Sequence, residues 1–338
     1  MKRVRIGMIG SGTVGSSVLG LLKMRSSMFL SQGFKIKVLP VLVRDPSKSR
    51  ADVPSGTQFT SDPTVLEDAD IIFETMGGTT KALDLVAPQL EDGKILVTAN
   101  KAMLAECWDV LKPFMMNGQV YCEASVMAGT PVLGPLTGTL RSSNTLELHA
   151  ILSGTCNYIL TRMESGATYT DALAEAQAKG YAEDPPTLDV SGTDAAHKLC
   201  VLARMTVDPN FAWENIQTKG LEDLSSERIL EAVKAGQRVK LVGSIIPNGN
   251  TWQAKVRPVL LQSDHPLAQS AASRNAMIFH GDASGVVILQ GGGAGGLVTA
   301  SAMVGDLIDH FAGVTGHQPS PEATRVPQNY TPEIFAEL

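Results

Sequence analysis

The residues best able to do chemistry in this 338-residue sequence lie between Gly180 and Arg204, in GYAEDPPTLDVSGTDAAHKLCVLAR. Asp184-Pro185-Pro186 opposes helix, so the stretch is expected to open as a loop and to become helical after Gly192, with Ser191 or Thr193 as N-cap. Glu183, Asp184 and Asp189 then fall on the loop, while Asp194 and Lys198 fall four residues apart on one helix face. Such a pair is ordinarily a solvated ion pair on an amphipathic helix. Here Ala195, Ala196, Leu199, Cys200, Leu202, Ala203 and Met205 make the helix apolar over most of its circumference, which predicts burial, and a buried lysine needs a reason. An ammonium withdrawn from water beside carboxylates has a tunable proton affinity, the property needed to exchange a proton with an alkoxide.

The elements that must position this group begin at the amino terminus. Val4 to Ile9 is a short β-branched run, followed by Gly10-Ser11-Gly12-Thr13-Val14-Gly15 and then by SSVLGLLKM at helical spacing. Strand, glycine turn and helix together give a GxGxxG match its mechanism. The first glycine permits the tight turn, the second admits a pyrophosphate, the third lets helix and strand pack, and the helix amino terminus faces the phosphates. A second strand, Lys35 to Val43, ends in Arg44-Asp45-Pro46-Ser47-Lys48. Arginine at this position accommodates a ribose 2′-phosphate, so Arg44 with Lys48 favours NADP(H); NAD(H) is the reading if Asp45 holds the 2′-hydroxyl instead.

Further βα units follow. Asp70 to Thr75 reads as a buried strand entering Met76-Gly77-Gly78, then a helix over 80–90 and a strand at 94–98. Their repetition implies a Rossmann-type, doubly wound parallel sheet. The last strand delivers Thr98, Asn100 and Lys101 to its carboxyl end, where such sheets bind ligands, so Lys101 is a candidate for polarising a substrate near a nicotinamide, against the plainer reading of a loop charge. From about residue 145 the texture changes. LELHAIL alternates, Ser153-Gly154-Thr155-Cys156-Asn157 supplies hydroxyls and amides, and strands are expected at 238–246, 252–261, 276–280 and 285–290. The fold class read from this is α/β: a doubly wound sheet over residues 1–135, plus a second α/β domain with a mixed sheet over 136–298. Gly291 to Gly296 reads as a flexible loop, the helix after Thr299, within about 299–320, as packing back on the first domain, and the tail after Gly316 as loosely held.

Composition bounds the function. A net charge of −6 offers no basic surface for nucleic acid, and the start, MKRVRIGMIGSG, runs directly into a fold element. No stretch approaches 18 consecutive apolar residues, so neither membrane span nor signal peptide is expected. Cys107, Cys122, Cys156 and Cys200 form no CxxC and sit among apolar neighbours, as reduced cytoplasmic thiols do.

Several motifs together resemble homoserine dehydrogenase: GxGxxG at 10–15, TANK at 98–101, EASVMAGTP at 123–131, SGTCNYIL at 153–160, GYAEDPPTLDVSGTDAAHK at 180–198 and GAGGLVTASAMVGDL at 293–307. The resemblance spans nearly the whole chain. It implies NAD(P)-linked interconversion of L-homoserine and L-aspartate 4-semialdehyde, on the route to threonine, methionine and isoleucine, in a cytoplasmic homodimer. By position it puts the acid–base lysine at Lys198 and the lysine near the nicotinamide at Lys101. Substrate binding falls on Glu183, with Asp189 and Asp194 in support and Gly154, Thr155 and Tyr181 beside them. Thr75, Gly77, Thr98, Asn100 and Gly295 join the cofactor set, and a sodium-type cation would be held mostly by backbone carbonyls at Glu123, Val126, Ala128 and Thr130. The chain departs from the family at Ser153 and Cys156, where Asn and Thr are usual, and at Asp184-Pro185-Pro186. The length is that of a short form, so a carboxyl-terminal regulatory module and threonine feedback are expected to be absent.

The chemistry is consistent with this resemblance. Homoserine carries an ammonium suited to Glu183 and Asp189, and a carboxylate suited to the amides of 153–156; Lys198, tuned by Asp194 and burial, would take the hydroxyl proton as hydride leaves, while Lys101 positions the oxygen. Other readings are a dehydrogenase of another small hydroxy or amino acid, an acyl-enzyme built on Cys156, and a non-catalytic redox sensor that keeps only the glycine turn.

Overall fold

A computed structural model describes residues 1–50, 52–182 and 185–338, and the chain divides into two compact units. The first comprises Met1–Gly129 with Gly295–Gln318, and the second Thr130–Ala294 with Pro319–Leu338. The division therefore falls at Gly129, not 135, and the chain's last twenty residues belong with the second unit.

In the first unit, strands β1 (Lys2–Ile9), β2 (Phe34–Val38), β3 (Val41–Leu42), β4 (Phe59–Thr60), β5 (Ile71–Glu74), β6 (Ile95–Thr98) and β7 (Val120–Tyr121) form one parallel sheet in the order β4-β3-β1-β5-β6-β7, with β2 also on β1. The expected strand over 35–43 is two strands. Leu39-Pro40 interrupts it, because proline has no amide hydrogen to give the ladder. The chain leaves β1 toward β2 on one side and later returns to β5 on the other, so the order reverses at the carboxyl ends of β1 and β5, where doubly wound sheets bind ligands. Helix Thr13–Met24 buries Val18, Leu19 and Leu22 against this sheet. Helix Gly296–Phe311 packs beside it through Ala300, Met303, Val304 and Leu307. Each large side chain so buried contributes about 1.5–3 kcal/mol, which explains why a helix so distant in sequence completes this core.

The second unit holds β8 (Thr145–Ile151), β9 (Gln217–Thr218), β10 (Gln237–Asn248), β11 (Thr251–Gln262), β12 (Arg274–Gly281), β13 (Gly285–Gly292) and β14 (Ala336–Glu337), in the order β13-β12-β8-β10-β11-β14. The sheet is mixed: β9 runs parallel to β11 and the other pairs are antiparallel. Helices Gly154–Glu164, Thr193–Thr206 and Ser226–Lys234 pack on β10. Two expectations are corrected here. Gly291 and Gly292 close β13 and Gly296 opens a helix, so the loop is confined to Gly293, Ala294 and Gly295. The tail is held: Phe335 and Leu338 are buried, β14 pairs with β11, and the Thr324 amide donates to the Val207 carbonyl at 2.7 Å.

Candidate active site

In the first unit the glycine turn is built as its chemistry requires. Gly10 has φ 93°, a conformation that side chains resist, and a Cβ on Gly15 would stand 2.5 Å from the Gly10 carbonyl oxygen and 2.8 Å from Thr75 Oγ1. Gly12 has open space around it and caps helix Thr13–Met24 without a side-chain hydrogen bond, so the first-turn amides at Thr13 and Val14 are not capped by their own chain. A cleft of about 820 Å³ is lined by Gly10, Gly12, Arg44, Lys48, Arg50 and Thr75 among others. Ser11 Oγ is buried there without a hydrogen-bond partner. An orphaned hydroxyl, open amides and four cations, Lys81 being the fourth, fit a phosphorylated dinucleotide. Asp45 is engaged elsewhere, its Oδ1 accepting the Ser47 amide at 2.9 Å and hydroxyl at 2.6 Å.

Thr98, Asn100 and Gly77 are joined by a residue that the sequence reading missed. Glu74, fully buried at the end of β5, accepts from the amides of Met76 at 2.8 Å and Gly77 at 3.1 Å through Oε1, and from the Thr98 hydroxyl at 2.7 Å through Oε2. Burial pushes its carboxyl above the ordinary range, against the hydrogen bonds it receives. Its signal was a lone acid closing the apolar run IIFE just before a glycine pair. Thr98 Oγ1 in turn accepts the Asn100 amide at 3.0 Å, and Asn100 donates from Nδ2 to the Gly78 carbonyl at 2.7 Å and caps helix Lys101–Glu106 through the Met103 amide. Lys101 is therefore the first residue of a capped helix rather than a loop charge.

Further along the unit, helix Ala124–Met127 ends at Ala128, whose φ of 50° makes it a rare non-glycine residue in a left-handed conformation. The Glu123 carboxylate lies 3.4 Å from His317 Nε2, and the Glu123 amide donates to Asp306 at 3.1 Å. Asp306 is pushed up to about 7, chiefly by burial. His317 Nδ1 accepts the Cys122 amide at 3.0 Å, and the ring is raised well above its ordinary value: burial alone would lower it, but the Cys122 and Glu123 side chains and the Asp306 charge prevail.

In the second unit, helix Thr193–Thr206 buries eleven of its 14 residues, and Thr193, Asp194 and Lys198 are the three only partly buried. The lysine Nζ donates to Asp194 Oδ2 at 2.7 Å and to the Leu152 carbonyl at 2.9 Å. Asn275, fully buried, also donates to that carbonyl, at 3.4 Å; nothing in the apolar pattern of β12 marked it. The helix cap is Gly192 at φ 84°, not Ser191 or Thr193, although Ser191 Oγ accepts the Thr193 amide at 3.3 Å. Asp189 lies on a helical turn, Thr187–Val190, rather than in a loop, because the two prolines sit ahead of the turn and leave its amides free to bond. Its carbonyl accepts from Cys156 Sγ at 3.0 Å. Thr155 Oγ1 donates to the Tyr181 carbonyl at 2.5 Å, and Gly154 packs against Ser273, whose carbonyl oxygen would be 2.7 Å from an added Cβ. Thr130 opens this unit with Oγ1 donating to Gly292 at 3.3 Å. Glu183 and Asp184 lie outside the described residues. Cys156 is fully buried with its Sγ spent on the Asp189 carbonyl, and burial pushes its thiol up to about 12, all of which argue against the acyl-enzyme reading.

Residues 131–308 match the homoserine dehydrogenase family, and residues 10–112 match the homoserine dehydrogenase NAD-binding domain. The chain belongs to the homoserine dehydrogenase family. It is 35% identical over 328 residues to homoserine dehydrogenase of Bacillus subtilis (strain 168), covering 94% of this chain and 76% of that one. Against the crystal structure of a homoserine dehydrogenase from Thiobacillus denitrificans the TM-score is 0.89 at 34% identity, over 96% of this chain and 79% of the other. A hyperthermophilic archaeal homoserine dehydrogenase in complex with NADPH gives a TM-score of 0.79 at 25% identity, over 94% and 100%. The enzyme is thus an oxidoreductase acting on a CH–OH group, with a nicotinamide cofactor bound by its parallel-sheet unit. Among the described residues no helix is long and apolar enough to cross a membrane.

Proposed function

We propose that the enzyme interconverts L-homoserine and L-aspartate 4-semialdehyde on the route to threonine, methionine and isoleucine, with Lys198 as the proton-exchanging group. The observation that carries this is the half-buried Lys198 ammonium, which spends two donors on Asp194 and Leu152 and keeps a third for a substrate oxygen. The bound nicotinamide supplies or accepts the hydride. Lys198 donates a proton to the forming alkoxide in reduction and takes it back in oxidation, while Asp194 fixes the amine and Lys101 stabilises charge on the reacting oxygen. Glu183 and Asp189 suit the substrate ammonium, and Gly154, Thr155 and Tyr181 border them.

NADP(H) is the preferred cofactor, supported by Arg44 and Lys48 in the glycine-turn cleft, by the engagement of Asp45 with Ser47, and by the NADPH held in the archaeal relative. Gly295 and Gly77 complete that set. The first unit is thus the nucleotide-binding domain and the second the substrate-binding and dimerisation domain. A monovalent cation on carbonyls of Glu123, Val126, Ala128 and Thr130 is supported by the left-handed backbone at Ala128. A cytoplasmic homodimer is supported by four free thiols and by edge strand β13, whose Val286 and Ile288 are 59% and 48% exposed. The direct test is NADPH consumption with L-aspartate 4-semialdehyde against a panel of small aldehydes and keto acids. Faster turnover of another carbonyl compound would overturn the substrate assignment.

A further inference from the structure

The second unit carries a cluster of titratable groups remote in sequence from the catalytic helix. The faces of its sheet can be told apart: a Cβ on Gly243 would meet Leu199 and Leu152, so Gly243 looks toward helix Thr193–Thr206, and its neighbour Ser244, paired with His149, looks the other way. Glu147, two residues along β8, shares the His149 side, and the chain's tail crosses there. The Phe335 ring packs 4.7 Å from the His149 ring, the Glu333 amide donates to Glu147 Oε2 at 2.7 Å, and Tyr330 Oη and His280 Nδ1 share a hydrogen bond at 2.8 Å.

His149 is 1% exposed. Its Nδ1 is taken by Ser244 Oγ at 2.8 Å, and its Nε2, buried, has no hydrogen-bond partner. That nitrogen stands 3.4 Å from Glu147 Oε2, and one donor atom from each of Glu147, His149 and Glu333 lies within 4.8 Å of the others. His280 Nδ1 is 3.8 Å from Glu147 Oε1, and His265 Nε2 is 3.5 Å from Glu333 Oε1. Two carboxylates around a buried imidazole nitrogen whose other nitrogen is fixed by a hydroxyl form the ligand and support pattern of a zinc-type ion. Ligand atoms at about 2.1 Å around a tetrahedral zinc are roughly 3.4 Å from one another. The Glu147–His149 pair is already at that separation, and Glu333, exposed on the tail, can close the remainder.

We propose that Glu147, His149 and Glu333 bind one divalent transition-metal ion of the zinc class, which clasps the tail around Glu333 onto the second sheet. The site uses none of the catalytic groups. Three protein ligands leave a fourth position for water or for His280.

The test uses full-length enzyme stripped with chelator and titrated with Zn²⁺ by calorimetry, and with Co²⁺ by visible absorption. Wild type is expected to take up one Zn²⁺ per chain, to give the intense cobalt band of a four-coordinate site, and to gain thermal stability. Glu147→Gln and His149→Ala alter buried groups and risk misfolding, so the exposed Glu333→Gln carries the decision. It should weaken Zn²⁺ binding more than about tenfold and lose the thermal gain, with homoserine turnover unchanged. Sub-stoichiometric uptake by wild type, or undiminished Zn²⁺ affinity in E333Q, would overturn the proposal.

Discussion

Asp194 Oδ2 and Lys198 Nζ are 2.7 Å apart across one turn of a helix that is otherwise buried almost throughout. With Thr193, the pair is the part of the helix that is not buried, and the Leu152 carbonyl also accepts from the amine at 2.9 Å. Replacing Lys198 with alanine removes the group proposed to exchange the proton. We expect kcat to fall about 100- to 10,000-fold with NADPH affinity unchanged. Asp194→Asn should cost less, since the Leu152 contact persists. Steady-state kinetics with a separate NADPH binding titration measures both, and comparable turnover in the lysine variant would count against its role.

Gly15→Ala should damage cofactor binding through sterics alone. The new methyl would meet the Gly10 carbonyl at 2.5 Å, a backbone atom that cannot swing aside. Overpacking of this kind costs about 1–3 kcal/mol, to be read from denaturant midpoints alongside NADPH fluorescence titration. Gly12→Ala meets nothing in the protein, so its effect should fall on NADPH and leave stability nearly intact.

Arg44→Ala should separate the two cofactors. Loss of the cation proposed to face a 2′-phosphate is expected to raise KM for NADPH about tenfold, the equivalent of roughly 1.4 kcal/mol, while KM for NADH stays put. An equal change for both would show that Arg44 contributes only general attraction.

The buried group of Glu123, Asp306 and His317 should make the first unit sensitive to alkali. Asp306 and His317 both hold protons more tightly folded than unfolded. For Asp306 the added stability is full below the ordinary carboxyl value and lost as pH rises through about 7. For His317 it is full below 6.5 and lost as pH rises through a folded value well above that. Thermal midpoints should therefore drop between pH 6 and the alkaline side, and His317→Gln should flatten the drop. A midpoint that rises over that interval would refute the sign.

Ile288→Lys tests the proposed homodimer. The residue is 48% exposed on edge strand β13, so a lysine there costs the fold little. Light scattering should report monomers for the variant and dimers for the parent chain.

The parallel-sheet unit was legible because its signals are local. The β-branched run before Gly10, the GxGxxG spacing and the helical period after it each depend on neighbours in the chain, and all three appear as β1, turn and helix Thr13–Met24. The Asp194–Lys198 pairing was legible for the same reason, since a four-residue separation on a helix is fixed by its pitch. Long-range contacts were not. Glu74 becomes a brace for Gly77 and Thr98 only when β5 and β6 lie side by side, and Asn275 reaches Leu152 only through the pairing of β12 with β8. The tail reads as loose from its prolines and polar residues, yet Phe335 is buried and Glu333 meets Glu147 across 186 positions. Backbone pitch and turn sterics act within a few residues and are written in the order of the side chains. Which distant carboxylate or imidazole shares a buried space is decided by how sheets and helices pack, and that only the tertiary structure settles.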